Sequence, residues 1–479
     1  MTETIELPVW VIVIASVLAA IAIADRLLSP AVRWFFRRRV NQAIDELNTR
    51  LKLKIRPFGT TRREVLIDRI VNDPAVVEAV AEHSRDTGEP IQVAMGRAAR
   101  YAREIVPMFN AYAYFRIGTR LARLIATALY RVRLGYTDTE ALSKVAPDSS
   151  VVFVMNHRSN MDYVLVTYLA SSSTALSYAV GEWARLPVLQ TLIRFMGAYF
   201  IRRNARNTLY RRILATYVRM ATEAGVTQAV FPEGRLSRDG KLRPPRIGLI
   251  SYIVSAHDHV SHDTVFIPVG LNYDRVLEDR SLVFEADHHA RPTSTWQKST
   301  RTLGFLWRNL RLRLAGKWHR FGYASVSFGN PVSVDRFLAE QGIDKWRALP
   351  DSERVALTEK LALRLMRSIE TLIPVLPVSL VSVALVEAGT ERVDRLELKA
   401  RVGILIDRLV DRGMHIHIPR QDRDYEIEVG LRMLTLRRIV EEAPDGELTI
   451  ADRDRALIAY YANAITHLFK ETRQTQTDP

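Results

Sequence analysis

The chain has 479 residues and no cysteine, with 68 lysines and arginines against 53 aspartates and glutamates, for a net charge of +15 and a pI near 10.0. The missing thiols exclude disulfides, thiolate metal sites and a cysteine acyl-enzyme, and 48% hydrophobic with 25% charged residues excludes wholesale disorder. The positive balance implies an anionic partner: nucleic acid, anionic lipid or a phosphorylated substrate.

Leu7 to Ala24 is an uncharged run of 18 residues, near the lower limit for a membrane-spanning helix. Glu3 and Glu6 precede it; Arg26, Arg33, Arg37, Arg38 and Arg39 follow, with Trp34, Phe35 and Phe36 among them. The positive-inside rule places the remainder of the chain in the cytoplasm. The acidic leader argues for a retained anchor over a cleaved signal peptide. If the run is too short to span, it lies in the interface as a monotopic helix. Residues 1–39 are thus read as an anchor with a basic-aromatic flank.

Residues 40–145 read as a helical region punctuated by Pro57, Pro74, Pro90 and Pro107. Within it, 116–134 has a basic amphipathic pattern suited to anionic lipid. From 146 to 335 strand-like runs (near 151–155, 176–180, 198–202, 227–231, 264–271 and 324–328) alternate with helical ones (near 160–171, 186–196, 205–224 and 245–257). That alternation predicts an α/β domain, a mixed sheet flanked by helices with its motifs at strand ends. Residues 296–323 mix Trp296, Phe305, Trp307, Trp318, Phe321 and Tyr323 with Arg301, Arg308, Arg311, Arg313, Lys317 and Arg320, a composition suited to a membrane interface or to single-stranded nucleic acid. The N-terminal run favours the membrane, so no nucleic acid is expected. Residues 336–479 read as mainly helical. Leu372–Val386 is apolar but has only 15 residues and two prolines, so it is expected to be buried or re-entrant. A short strand pair is expected near 414–419 and 424–429.

Four blocks carry chemistry. In the first, His157 and Asp162 stand five residues apart after the apolar run Val151–Met155. A carboxylate there fixes the imidazole tautomer, and the free ring nitrogen takes a proton from a hydroxyl. In the second, Gly197–Ala198–Tyr199–Phe200–Ile201–Arg202–Arg203 ends in two planar guanidinium forks, a match for phosphate oxygens. The third runs Phe231–Pro232–Glu233–Gly234–Arg235–Leu236–Ser237–Arg238–Asp239–Gly240–Lys241, glycines and cations suited to an anion cradle. The fourth, Val265–Tyr273, is a strand whose Pro268 should sit at an edge or bulge. No cluster of Cys and His suggests a metal.

The order and content of these blocks resemble the glycerolipid acyltransferase superfamily and, within it, the membrane-bound bacterial glycerol-3-phosphate 1-O-acyltransferase family. The likeness runs from Ala98–Ile105 to Tyr460–Leu468. One departure is Leu236, where that family usually has arginine. The resemblance implies acyl transfer from acyl-CoA or acyl-acyl carrier protein, as co-substrate, to the sn-1 hydroxyl of glycerol 3-phosphate, with no cofactor. His157 would be the base and Asp162 its orienter. Arg202, Arg203 and Arg238 would hold the acceptor phosphate, with Arg235 and Lys241 in support. Glu233, Gly234 and Ser237 would shape the turn, whose backbone amides would serve the oxyanion. Two alternatives stand: a lysophospholipid acceptor, suggested by Leu236, and a non-catalytic membrane-anchored basic protein binding lipid or nucleic acid. Chain-length preference and oligomeric state are not legible.

Overall fold

The computed structural model describes residues 63–109, 113–170, 176–180, 194, 196–202, 207–257, 262–286, 320–344, 346–389, 392–414 and 422–470. The apolar run Leu7–Ala24, the flank 33–39, most of the stretch 296–323 and Arg203 lie outside them. Among the described residues, no helix is long and apolar enough to cross a membrane.

The architecture is a mixed sheet covered on both faces by helices. Its strands are β1 (Arg131–Thr137), β2 (Ser150–Met155), β3 (Ser177–Val180), β4 (Tyr199–Phe200), β5 (Gln228–Val230), β6 (Thr264–Tyr273), β7 (Tyr323–Phe328) and β8 (Val332–Ser333). Their order is β1-β7-β6-β2-β5-β3-β4, with β8 also pairing β6. The central strands β6, β2, β5, β3 and β4 run parallel, whereas β7 and β8 are antiparallel to β6. The pattern on β2 shows why. All six of its residues are buried, and they alternate between two apolar layers. Val151, Phe153 and Met155 join one layer, Val152 and Val154 the other. A strand buried on both faces needs a continuous apolar run, the mark of a parallel sheet under helices.

Each layer combines helices from distant parts of the chain. Helices Arg63–Val71, Pro74–Thr87 and Ile91–Ile105 pack with Thr208–Glu223 and Asp351–Leu372 on the Val152 face. Asp73 caps the second of these helices through Ala75 N at 3.1 Å, and Pro74 occupies its first position. On the other face lie Thr119–Leu129, Asp162–Ala170 and the C-terminal helices Pro377–Ala388, Arg395–Asp411, Arg423–Thr435 and Arg455–Ala462. Pro377–Ala388 is the apolar run expected to be buried, and residues Pro377 to Leu385 are buried within protein.

Three local expectations are corrected. The segment 116–134 is helical only to Leu129; Arg131–Thr137 leaves it as β1 and pairs with β7. The alternation at Tyr425, Ile427 and Val429 mimics a strand, but residues 424–429 are helical. Asp422 accepts from Tyr425 N at 3.1 Å, and the helix buries Ile427, Leu431 and Leu434 at helical spacing. Antiparallel pairing instead joins β9 (Arg392–Asp394), β10 (Val440–Glu442) and β11 (Glu447–Ile450). Third, Pro268 lies in a central strand, not at an edge. It pairs with Val154 on one side and, on the other, falls between the stretches that meet β8 and β7. Its carbonyl accepts from Gly329 at 2.8 Å, so its missing N–H faces the gap where the partner strand changes.

Candidate active site

The parallel strands bring the first three blocks to one edge of the sheet, at their C-terminal ends. Asn156 extends β2 by one residue through its side chain. Its Nδ2 donates to Leu271 O at 2.9 Å and its Oδ1 accepts from Leu271 N at 2.7 Å. This graft onto β6 fixes the exit angle of His157.

His157 is 1% exposed and Asp162 fully buried. Asp162 Oδ2 lies 2.9 Å from His157 Nδ1 and also accepts the backbone N–H groups of Arg158 (2.8 Å) and Ser159 (3.0 Å). Its other oxygen accepts the Tyr273 hydroxyl at 2.7 Å. A carboxylate with four donors makes His157 Nδ1 the protonated nitrogen. His157 Nε2 is then an acceptor, and it is buried with no hydrogen-bond partner. The ring is clamped by Phe231, stacked at 4.1 Å, and by the edge of Tyr163 at 5.7 Å. A buried polar atom without a partner is costly, and here it is the atom the proposed chemistry requires.

Glu233 shapes the backbone of this site. Its Oε1 accepts His157 N at 2.8 Å and its Oε2 accepts Arg243 N at 3.1 Å. Burial pushes its carboxyl up to about 7, against the two N–H donors and the Arg158 charge that favour the anion. Ser237 ties the same loop down. Its N–H donates to His157 O at 3.1 Å and its Oγ to Lys241 O at 2.8 Å. The Gly234 N–H is turned back onto Phe231 O at 3.0 Å. Two amides of this turn are therefore already used within the protein.

The expected cations are dispersed. Arg235 and Arg238 sit half-buried on the Glu233 loop, each already engaged by a neighbouring group, and Lys241 is exposed. Arg202 follows β4, three strand spacings from β2, roughly 14 Å away. It forms a bidentate pair with Glu104 at 3.0 and 2.6 Å and lies over Tyr101 and Tyr210. Arg203 lies outside the described residues.

Several residues had no separate signal in the sequence. Tyr273 ends the fourth block, which read as structural. Arg158 is 3% exposed; its Nη1 donates to Gly240 O at 2.5 Å and its guanidinium lies 4.9 Å above the Tyr460 ring. Glu278 receives the Ser159 hydroxyl at 2.7 Å, and burial pushes its carboxyl up to about 6. Gly240 has φ +84°, and a methyl group there would stand 1.9 Å from Tyr460 O. Asn463 Nδ2 donates to Asp239 O at 2.8 Å. The C-terminal helix is thus laid directly on the Glu233 loop. Deeper in the same contact, the Asp279 carboxylate accepts from Arg437 at 2.5 Å and from the Tyr461 hydroxyl. Among the described residues, His257, Asp263 and Asp335 are the one grouping with potential metal ligands; Asp263 precedes β6, at the sheet edge opposite His157.

Residues 136–272 match the model of the acyltransferase family, and residues 310–472 that of the glycerol-3-phosphate acyltransferase C-terminal region. A glycerol-3-phosphate acyltransferase of Xanthomonas campestris pv. campestris is 28% identical over 471 residues, 93% of this chain and 48% of that protein. One of Pseudomonas putida is 27% identical over 424 residues, 85% of this chain and 49% of its own length. The chain spans about half the length of the curated relatives it matches. Among solved structures, the 1-acyl-sn-glycerophosphate acyltransferase PlsC of Thermotoga maritima matches 64% of this chain and 97% of its own, at 15% identity and TM-score 0.29, a likeness that carries no argument. The two family matches between them take in the His157 and Glu233 blocks and the C-terminal helices laid on them, and over most of its length the chain is similar to bacterial glycerol-3-phosphate acyltransferases.

Proposed function

We propose that this protein transfers a fatty acyl group from an acyl thioester to the sn-1 hydroxyl of glycerol 3-phosphate, giving lysophosphatidic acid for phospholipid synthesis. One observation carries the reading: His157 Nε2 is buried and unpartnered while Asp162 holds Nδ1. The acceptor hydroxyl gives its proton to Nε2, and its oxygen attacks the thioester carbonyl directly. The collapsing intermediate expels the thiolate, which takes the proton from the imidazolium. Asp162 stabilises the charge that appears on the ring, and Tyr273 with two backbone amides keeps Asp162 aimed. The chain has no cysteine to form an acyl-enzyme, and the scheme asks for no cofactor. The donor is acyl-CoA or acyl-acyl carrier protein.

We further infer that the protein works at the cytoplasmic face of the inner membrane, held by Leu7–Ala24 and by anionic lipid against its basic-aromatic stretches. A second acceptor, lysophosphatidic acid, is favoured by Leu236. Thioester consumption by the purified chain with glycerol 3-phosphate, lysophosphatidic acid or no acceptor separates the readings. Turnover only with glycerol 3-phosphate is the expected result. Efficient use of lysophosphatidic acid without glycerol 3-phosphate would exclude it, and no turnover with either would leave a binding protein.

A further inference from the structure

Position 236 poses a question the structure answers. Leu236 packs against the apolar layer beneath the C-terminal helices, so that position anchors the loop and offers no charge to a substrate. Arg202 is neutralised by Glu104. Arg243 and Arg246 lie just beyond the third block. Each is tied to that block through its own backbone: Arg243 N to Glu233 Oε2 at 3.1 Å, and Arg246 N to Pro232 O at 2.8 Å. Arg246 then runs across Gly234, where a methyl group would meet its Cδ at 2.9 Å and its Nε at 3.4 Å. Gly234, at φ +69°, has no side chain to block that path. Among the described residues, no ion pair or hydrogen bond takes up the Arg246 guanidinium, and it is exposed. Arg243 Nε is buried with no hydrogen-bond partner. Two unpaired guanidinium groups therefore flank the loop whose Phe231 stacks on His157 and whose Glu233 holds the His157 amide.

We propose that Arg246, supported by Arg243, binds the phosphate monoester of the acyl acceptor, supplying the cation that Leu236 does not. The assignment rests on a phosphate-bearing acceptor. Guanidinium forks bind such a group in a bidentate manner.

The test uses the full chain in detergent with long-chain acyl-CoA and glycerol 3-phosphate, comparing wild type with Arg246→Gln, Arg246→Lys, Arg243→Gln and the double variant Arg246→Gln/Leu236→Arg. Arg246→Gln should raise the glycerol 3-phosphate KM roughly tenfold to a hundredfold and leave the acyl-CoA KM within about twofold. Lysine should recover part of that loss, and Arg243→Gln should show a smaller effect of the same kind. Recovery by Leu236→Arg in the double variant would show the two positions serving one phosphate. An unchanged acceptor KM in Arg246→Gln, or an acyl-CoA KM that rises in step with it, would overturn the assignment. If wild type does not acylate glycerol 3-phosphate, the same series with lysophosphatidic acid decides separately. A KM effect there sustains the cation and removes only the glycerol acceptor. If neither is acylated, the assignment falls with the reading it rests on.

Discussion

The Tyr273 hydroxyl donates to Asp162 Oδ1 at 2.7 Å across 111 residues of sequence, joining the end of the fourth block to the carboxylate that holds His157 Nδ1. Both groups are fully buried. The bond aims the carboxylate from the side opposite His157 and leaves Oδ2 for the imidazole and two amides.

Tyr273→Phe removes that donor while keeping the ring. A hydrogen bond to a charged group contributes about 1.5–3 kcal/mol. The expected outcome is a kcat lowered roughly tenfold with an acceptor KM changed little, measured under saturating acyl donor. A kcat equal to wild type would make Tyr273 a packing residue only.

Asp162→Asn tests the charge apart from the shape. An asparagine oxygen can replace Oδ2 toward His157, Arg158 and Ser159, while its amide faces Tyr273 Oη. The variant should fold normally yet lose about 10²–10⁴ in kcat, because the imidazolium goes unsupported. His157→Ala should lose at least as much. Circular dichroism with single-turnover acyl transfer checks both, and near-normal turnover in the alanine variant would end the mechanism.

Glu426 gives a pH-dependent prediction for stability. It is fully buried, neither of its oxygens has a hydrogen-bond partner, and burial with the nearby Asp274 pushes its carboxyl up to about 8. The native state therefore holds a proton that the unfolded chain, near 4.5, releases. That contribution is complete below the unfolded value and is lost as pH rises through about 8. Glu426→Gln should match wild type near pH 5 and exceed it in unfolding free energy at pH 9 by on the order of a few kcal/mol, read as a higher thermal midpoint. Parallel melting profiles for the two proteins across this range would show that Glu426 does not titrate on unfolding.

Gly240→Ala attacks the contact between the third block and the C-terminal helix. The new methyl group would overlap Tyr460 O, in a backbone conformation that L residues resist. Strain of this kind costs roughly 1–3 kcal/mol before any clash is counted. We expect a lowered melting temperature together with a raised acceptor KM. Loss of stability alone, with the KM unchanged, would separate the clamp from substrate binding.

Much of this site was legible because its parts are local. His157 and Asp162 are five residues apart at the end of an apolar run, and the strand that ends there could only be read as a buried one. Glu233, Gly234 and Ser237 share a loop with turn chemistry. Other features depend on contacts between segments far apart in the chain. Tyr273 becomes part of the site only because β6 lies beside β2, and Arg158 meets Tyr460 only because the C-terminal layer folds back over the loop. Arg202 read as a free fork, yet Glu104, nearly a hundred residues upstream, reaches it. The misread segment 424–429 shows the limit of periodicity: its apolar residues alternate, and only the Asp422 cap and the burial of Leu431 and Leu434 settle it as a helix.

The contact between Gly240 and Tyr460 also sets an order of events during synthesis. The Glu233 loop leaves the ribosome more than two hundred residues before the helix that presses on it. Until Arg455–Ala462 has emerged and docked, the Arg158 guanidinium has no aromatic ring above it and the loop has no lid. A growing chain thus carries His157 and Asp162 long before the surroundings of the Glu233 loop can be completed.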